Sequence, residues 1–110
     1  MPNLLHTRPG VSYQSVSAAT SGSNVVVSAV TNARIRVLGY NLSFADVVKA
    51  QWRSGSNVIT GQKHGTSNTH FIAPFSPIGH FETYSGQLLN LELTDGKLVS
   101  GEITYSLVYG

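Results

Sequence analysis

The chain predicts an all-β fold: an antiparallel β-sandwich of the jelly-roll or a related Greek-key kind, with about eight strands and an N-terminal arm. Apolar residues recur with period two, and no long stretch shows the helical spacing of three and four. Val, Ile, Thr and Tyr are plentiful, as strands require. Turn residues return about every eight to twelve positions, the spacing of sandwiches and barrels. At 110 residues the chain is one domain. It divides into an arm, 1–10, and a sandwich, 11–110.

The arm holds Pro2, Pro9 and Gly10, with Leu4 and Leu5 as its apolar anchors. Val11 to Ala19 then alternates, with Tyr13, Ser15 and Ser17 on one face and Gln14, Val16 and Ala18 on the other. A turn at Thr20-Ser21-Gly22-Ser23 leads to a second strand over Asn24 to Val30. Ala33 to Phe44 is the longest strand. Ile35 and Val37 share one parity, whereas Leu38, Tyr40, Leu42 and Phe44 share the other, so the strand must switch faces near Gly39 or be buried on both sides. Over Asp46 to Arg53, Val48, Ala50 and Trp52 point in; a short helical turn at Ala45-Asp46 is the alternative there.

Ser54-Gly55-Ser56-Asn57 predicts a turn, Val58 to Gln62 a short strand, Lys63 to Asn68 a polar loop and Thr69 to Ala73 another short strand. The two prolines of Pro74-Phe75-Ser76-Pro77-Ile78-Gly79 forbid a central strand. His80 to Tyr84 is brief. Gln87 to Leu93 points Leu89, Leu91 and Leu93 inward, and Asp95-Gly96 signals a hairpin into the last strand, Ser100 to Tyr109.

Only 11% of residues are charged, against roughly 25% in ordinary soluble domains. Ser, Thr, Asn and Gly take their place. Such a skin suits faces that end against other proteins, because interface cores are depleted in Lys, Glu and Asp; an unassembled domain with a hydroxyl-rich surface is the plainer reading. The seven basic residues are scattered, with no run or aromatic-interleaved stripe, which argues against nucleic acid as a partner. No apolar run is long enough to cross a membrane and no export signal opens the chain, so the expectation is a soluble protein with no membrane partner. With no Cys, disulfides and thiolate chemistry are excluded.

Candidate chemistry is thin. Of five acids, Glu92 and Glu102 face outward on strands expected to join at Asp95-Gly96, where they would meet as a carboxylate pair or simply sit on a solvated face. His64, His70 and His80 flank loops without metal spacing; they would either converge on a metal or a pH-sensing site, or hydrogen-bond their loops. No nucleophile elbow, phosphate loop or calcium loop is present. The expectation is a non-enzyme with no catalytic residue, no cofactor and no metal. Phe71, Phe75 and Phe81 surround the proline loop and would either close the core or form a sticky patch.

Four stretches, in order, resemble the small jelly-roll decoration (cement) proteins of tailed bacteriophage capsids. They are Ala33-Arg34-Ile35-Arg36-Val37-Leu38-Gly39-Tyr40, Pro74-Phe75-Ser76-Pro77-Ile78-Gly79, Gly86-Gln87-Leu88-Leu89-Asn90-Leu91 and Gly101-Glu102-Ile103-Thr104-Tyr105. The resemblance spans Ala33 to Tyr109 and leaves the first thirty residues uncovered. It implies a homotrimer on the outer capsid surface of the virion, clamping neighbouring major capsid proteins, with no catalytic residues. On that reading the arm residues Leu4, Leu5, His6 and Arg8 contact the capsid, and the outward apolar residues Tyr13, Val16, Leu88 and Val108 form the seam between copies. Tail-fibre modules use similar domains. The competing expectation is therefore a receptor- or carbohydrate-binding module of a tail fibre, with Phe71 or Phe81 beside Asn68 and His80 as its site.

Overall fold

The computed structural model describes residues 10–109. Among the described residues, ten strands and no helix form two antiparallel sheets packed face to face. The strands are β1 (Ser12–Ala18), β2 (Gly22–Val27), β3 (Ala33–Phe44), β4 (Val48–Ser54), β5 (Asn57–Val58), β6 (Lys63–Gly65), β7 (Thr69–Ala73), β8 (Phe81–Glu82), β9 (Leu89–Leu93) and β10 (Val99–Tyr109). One sheet runs β1-β10-β3-β7, with β8 also on β3. The other runs β2-β9-β4-β5, with β6 also on β4. The first half of the chain thus pairs with the second in nested order, and successive pairs fall in alternate sheets. That is the jelly roll. The ten segments occupy eight strand positions, because β5 and β6 are two pieces of one border and β7 and β8 two pieces of another.

Strand β3 shows how pattern becomes shape. Against β10, Gly39 pairs with Thr104 and Val37 with Tyr105, leaving Leu38 as a bulge. The extra residue shifts the parity, so Ala33, Ile35 and Val37 before it and Leu42 and Phe44 after it all enter the same core. A second bulge, at Val26 in β2, buries both Val26 and Val27.

Trp52, Phe44, Ile35, Leu42, Leu89, Leu91, Leu93 and Ile103 fill the space between the sheets. Tyr40 meets Trp52 edge-on at 5.3 Å between ring centres, and Phe81 lies 6.0 Å from Trp52. Phe71 stands edge-on to Phe44 at 5.4 Å. These are the separations that aromatic pairs favour. One end of the sandwich is closed by the segment after β8. The Thr83 hydroxyl accepts from Ile35 N–H at 2.9 Å. Ser54 Oγ accepts from Tyr84 N–H and donates to Gln87 Oε1 at 2.7 Å. Both hydroxyls are buried and both are satisfied, as burial demands.

Several expected elements differ. The second strand is Gly22–Val27 rather than 24–30. The strand expected over 58–62 shortens to Asn57–Val58, since Thr60 turns to accept from Trp52 N–H. The expected polar loop at 63–68 contributes β6, because Gly65 lets the backbone lie flat on the Phe44 ring. Asp95-Gly96 is a turn but not a hairpin: β9 and β10 lie in opposite sheets, and the chain crosses between them. A tight turn sets chain direction only; which face needs cover decides where the next strand pairs. The true short hairpin is β4–β5, where Ser54 pairs with Asn57 around Gly55, whose φ is 57°.

Two tests follow from the core. A Cβ on Gly65 would collide with the Phe44 ring, whereas one on Gly61 meets nothing. Chemical denaturation should find Gly65→Ala destabilised by about 1–3 kcal/mol, and Gly61→Ala changed by no more than about 0.5 kcal/mol. Burial pushes the Tyr40 phenol above its ordinary value. The folded state therefore holds this proton where the unfolded chain releases it. Its stabilising effect is complete below pH 10 and is lost as pH rises through the folded value. Stability of Tyr40→Phe, measured against the parent from pH 8 upward, should lack that part of the alkaline decline.

Candidate binding surface

The candidate carboxylates and histidines are spread over the molecule. Glu92 sits on β9 and pairs with Arg53 on the outside of its sheet, and Glu102 sits on β10 in the other sheet. Of the two alternatives, the carboxylate pair does not form: the two groups are separated by the sandwich, because the turn at Asp95-Gly96 crosses between layers. The histidines also disperse. His64 lies opposite Lys49 on β4, His70 shares a hydrogen bond with Ser43 Oγ at 2.9 Å, and His80 Nε2 donates to Pro74 O at 2.7 Å. Among the described residues, no group of three His, Asp or Glu is placed to hold a metal.

The residues expected at a seam do not share one surface. Val16 is 3% exposed and belongs to the core, since its parity with Ala18 turns it inward. Tyr13 is 58% exposed on the outside of the β10 sheet. Val108, half-buried, points to the same side, but Leu88 lies on the other sheet, where its carbonyl accepts from Gly55 N–H. Leu4, Leu5, His6 and Arg8 lie outside the described residues. Phe71 and Phe81, expected beside Asn68 and His80 in a sugar site, turn their rings onto the core instead.

The outer surfaces of the two sheets are unlike. The centre of the β9 sheet is polar: Arg53 pairs with Glu92, and Gln51 donates to Thr60 O at 3.0 Å. The β10 sheet exposes Tyr13, Ile72 and Phe75 across its middle. Toward the end where Gly10 enters, Ile78 is 83% exposed and Tyr109 65%, with Tyr84 also bare. Beside them Glu82 receives Arg36 Nε at 2.6 Å and lies 3.8 Å from Arg34 Nη1, a cluster carrying one net positive charge. A hollow of about 550 Å³ at this end is lined by Gly10, Val11, Leu38, Pro77, Val108 and Tyr109, among others.

The middle of the same face holds a second hollow. The pairing sets two rows across it: Ser15, Glu102, Asn41 and Ile72 in one, Tyr13, Thr104 and Gly39 in the other, with Phe75 alongside Gly39. Tyr13, Ile72 and Phe75 stand as walls, and Glu102, Asn41 and Thr104 make the floor of a depression of about 350 Å³. Reading β3 as alternating after Gly39 already turns Asn41 outward. That Asn41 and Glu102 are opposed was not visible, because it depends on β10 lying beside β3, a pairing between distant parts of the chain.

No protein-family model, no curated protein and no solved structure matches this chain.

Proposed function

We propose that this domain is a non-catalytic virion module of the capsid-decoration kind, which trimerises and clamps neighbouring major capsid proteins from outside the shell. The observation that carries the reading is the apolar end of the β10 sheet. Gly10, Pro77, Val108 and Tyr109 line one hollow there, with Tyr109 and Ile78, next to Pro77 in the chain, exposed. Exposed apolar area of this kind favours association, because burying it releases about 25 cal/mol per Å². The jelly-roll order and the four phage-like stretches support the same reading, as does the low charge.

A clamp of this type gains from repetition. A closed trimer offers three equal contacts to a three-fold point of a lattice, and once one has formed, the others bind at high effective concentration. Each contact can then be individually weak. On this reading residues 1–9 add to the contact that each copy makes with the shell. The major capsid protein is the partner, and the virion's outer surface the location.

Sedimentation of the whole chain at micromolar concentration should give a trimer, and Ile78→Ser with Tyr109→Ser should shift it toward monomer. Deleting residues 1–10 should weaken binding to undecorated capsids at least tenfold while leaving thermal unfolding unchanged. In purified particles the copy number should scale with the capsid lattice. A monomeric parent chain, or a copy number matching tail components, would remove the proposal.

A further inference from the structure

We infer that the trough across the middle of the β10 sheet is a binding site for a neutral saccharide of one or two rings. It adjoins the hollow at the apolar end assigned above to assembly, with Phe75 lining both, and it does not depend on that assignment.

The trough combines two kinds of surface that a sugar requires together. A pyranose is apolar on the C–H faces of its ring and polar at its rim. Tyr13 on β1 supplies an exposed aromatic wall, and Ile72 with Phe75 supplies the opposite one. Between them, Glu102 and Asn41 lie directly opposed on neighbouring strands, so their Cβ atoms are about 4.5–5.5 Å apart. That is close enough for both to engage the same ring. Thr104, opposite both Tyr13 and Gly39, adds a hydroxyl. At Gly39 the backbone of Ala73 and Phe75 packs close over β3, where a Cβ would lie about 3.1–3.2 Å from it, and closes that end of the floor.

The floor's polar groups are uncommitted. Among the described residues, the Glu102 carboxylate, the Asn41 amide and the Thr104 hydroxyl take part in no side-chain hydrogen bond or ion pair. They offer acceptors and donors of the types that pair with sugar hydroxyls. The volume, about 350 Å³, lies near the lower end of the range for small-molecule sites, about 300–1,000 Å³.

Other ligand classes fit less well. A peptide cannot add as a strand here, because β10 and β3 are paired on both sides along the trough. An apolar helix laid on the walls would bury Glu102 and Asn41 without partners, at a cost of about 1–3 kcal/mol for each group. Nucleic acid needs cations for its phosphates. The trough lines no cation, and its one charge is a carboxylate. The same carboxylate disfavours sialylated and sulfated sugars, which selects neutral ones.

The test uses the whole chain, labelled, on a printed panel of neutral, sialylated and sulfated glycans, followed by calorimetric titration with the best-bound neutral oligosaccharide. Binding should appear in the neutral series. Tyr13→Ala and Ile72→Ala, on opposite walls, should each weaken it about tenfold or more. Glu102→Gln should narrow the discrimination against sialylated glycans. Val58→Ala, on the other sheet, should change nothing. All four side chains are exposed, and thermal unfolding of each variant confirms that the fold persists. A blank panel, or neutral-glycan binding indifferent to both wall variants and to Glu102→Gln, overturns the assignment. Capsid binding by the same variants separates the two proposals, because a saccharide site in the trough leaves assembly through the apolar end intact.

Discussion

The pairing of β3 with β10 is the constraint on which the rest of the structure depends. These are the two longest strands, and they hold the centre of one sheet from Phe44 opposite Val99 to Ala33 opposite Tyr109. Joining residues so far apart in sequence closes the long loop that contains every other strand except β1 and β2. The bulge at Leu38 is part of this constraint. Without it, one half of β3 would present Ile35 and Val37 to the core while the other presented Asn41 and Ser43. One inserted residue reconciles two stretches of opposite parity, and places Gly39 where the Ala73 and Phe75 backbone packs close against β3.

The longer strands were legible in the sequence because each rests on local alternation, whereas β6, three residues inside an expected polar loop, was not. Leu89, Leu91 and Leu93, or Val48, Ala50 and Trp52, announce a half-buried strand with no need of a partner. The face switch near Gly39 was equally plain, since a parity break within one apolar run has few physical remedies. What local patterning does not encode is which strand lies beside which. Asp95-Gly96 has the chemistry of a hairpin turn, yet the strands on either side cover opposite layers. Of the two readings of Glu92 and Glu102, the carboxylate pair falls for that reason, and the opposition of Asn41 and Glu102 stayed hidden for the same one. Val16 misled differently: its parity with Ala18 was correct, and that parity leads to the core, not to a seam.

Scarcity of charge gives each charged group more weight. The Arg34, Arg36 and Glu82 cluster sits beside exposed apolar residues at one end, and Glu102 stands in the trough apart from any ion pair. On a densely charged surface neither would be distinctive. Here the field over each region is set by one or two side chains, so single substitutions are informative about what each region binds. The Arg36–Glu82 contact, partly solvent-exposed, adds at most about 1 kcal/mol to stability; its consequence is the residual positive charge left beside Tyr109.

The interrupted borders of the sheets bear on how copies can meet. A protein with little charge gains little from mutual repulsion and has to limit unwanted growth by shape. The border of the β9 sheet is broken between β5 and β6, and its other border, β2, is bulged. The far border of the β10 sheet is broken by the proline loop between β7 and β8. Among the described residues, β1 alone offers an uninterrupted run of outward N–H and C=O groups. A sheet open on one side can join one neighbour and then has no free side left, so association through backbone pairing ends at two molecules and cannot propagate into a fibre.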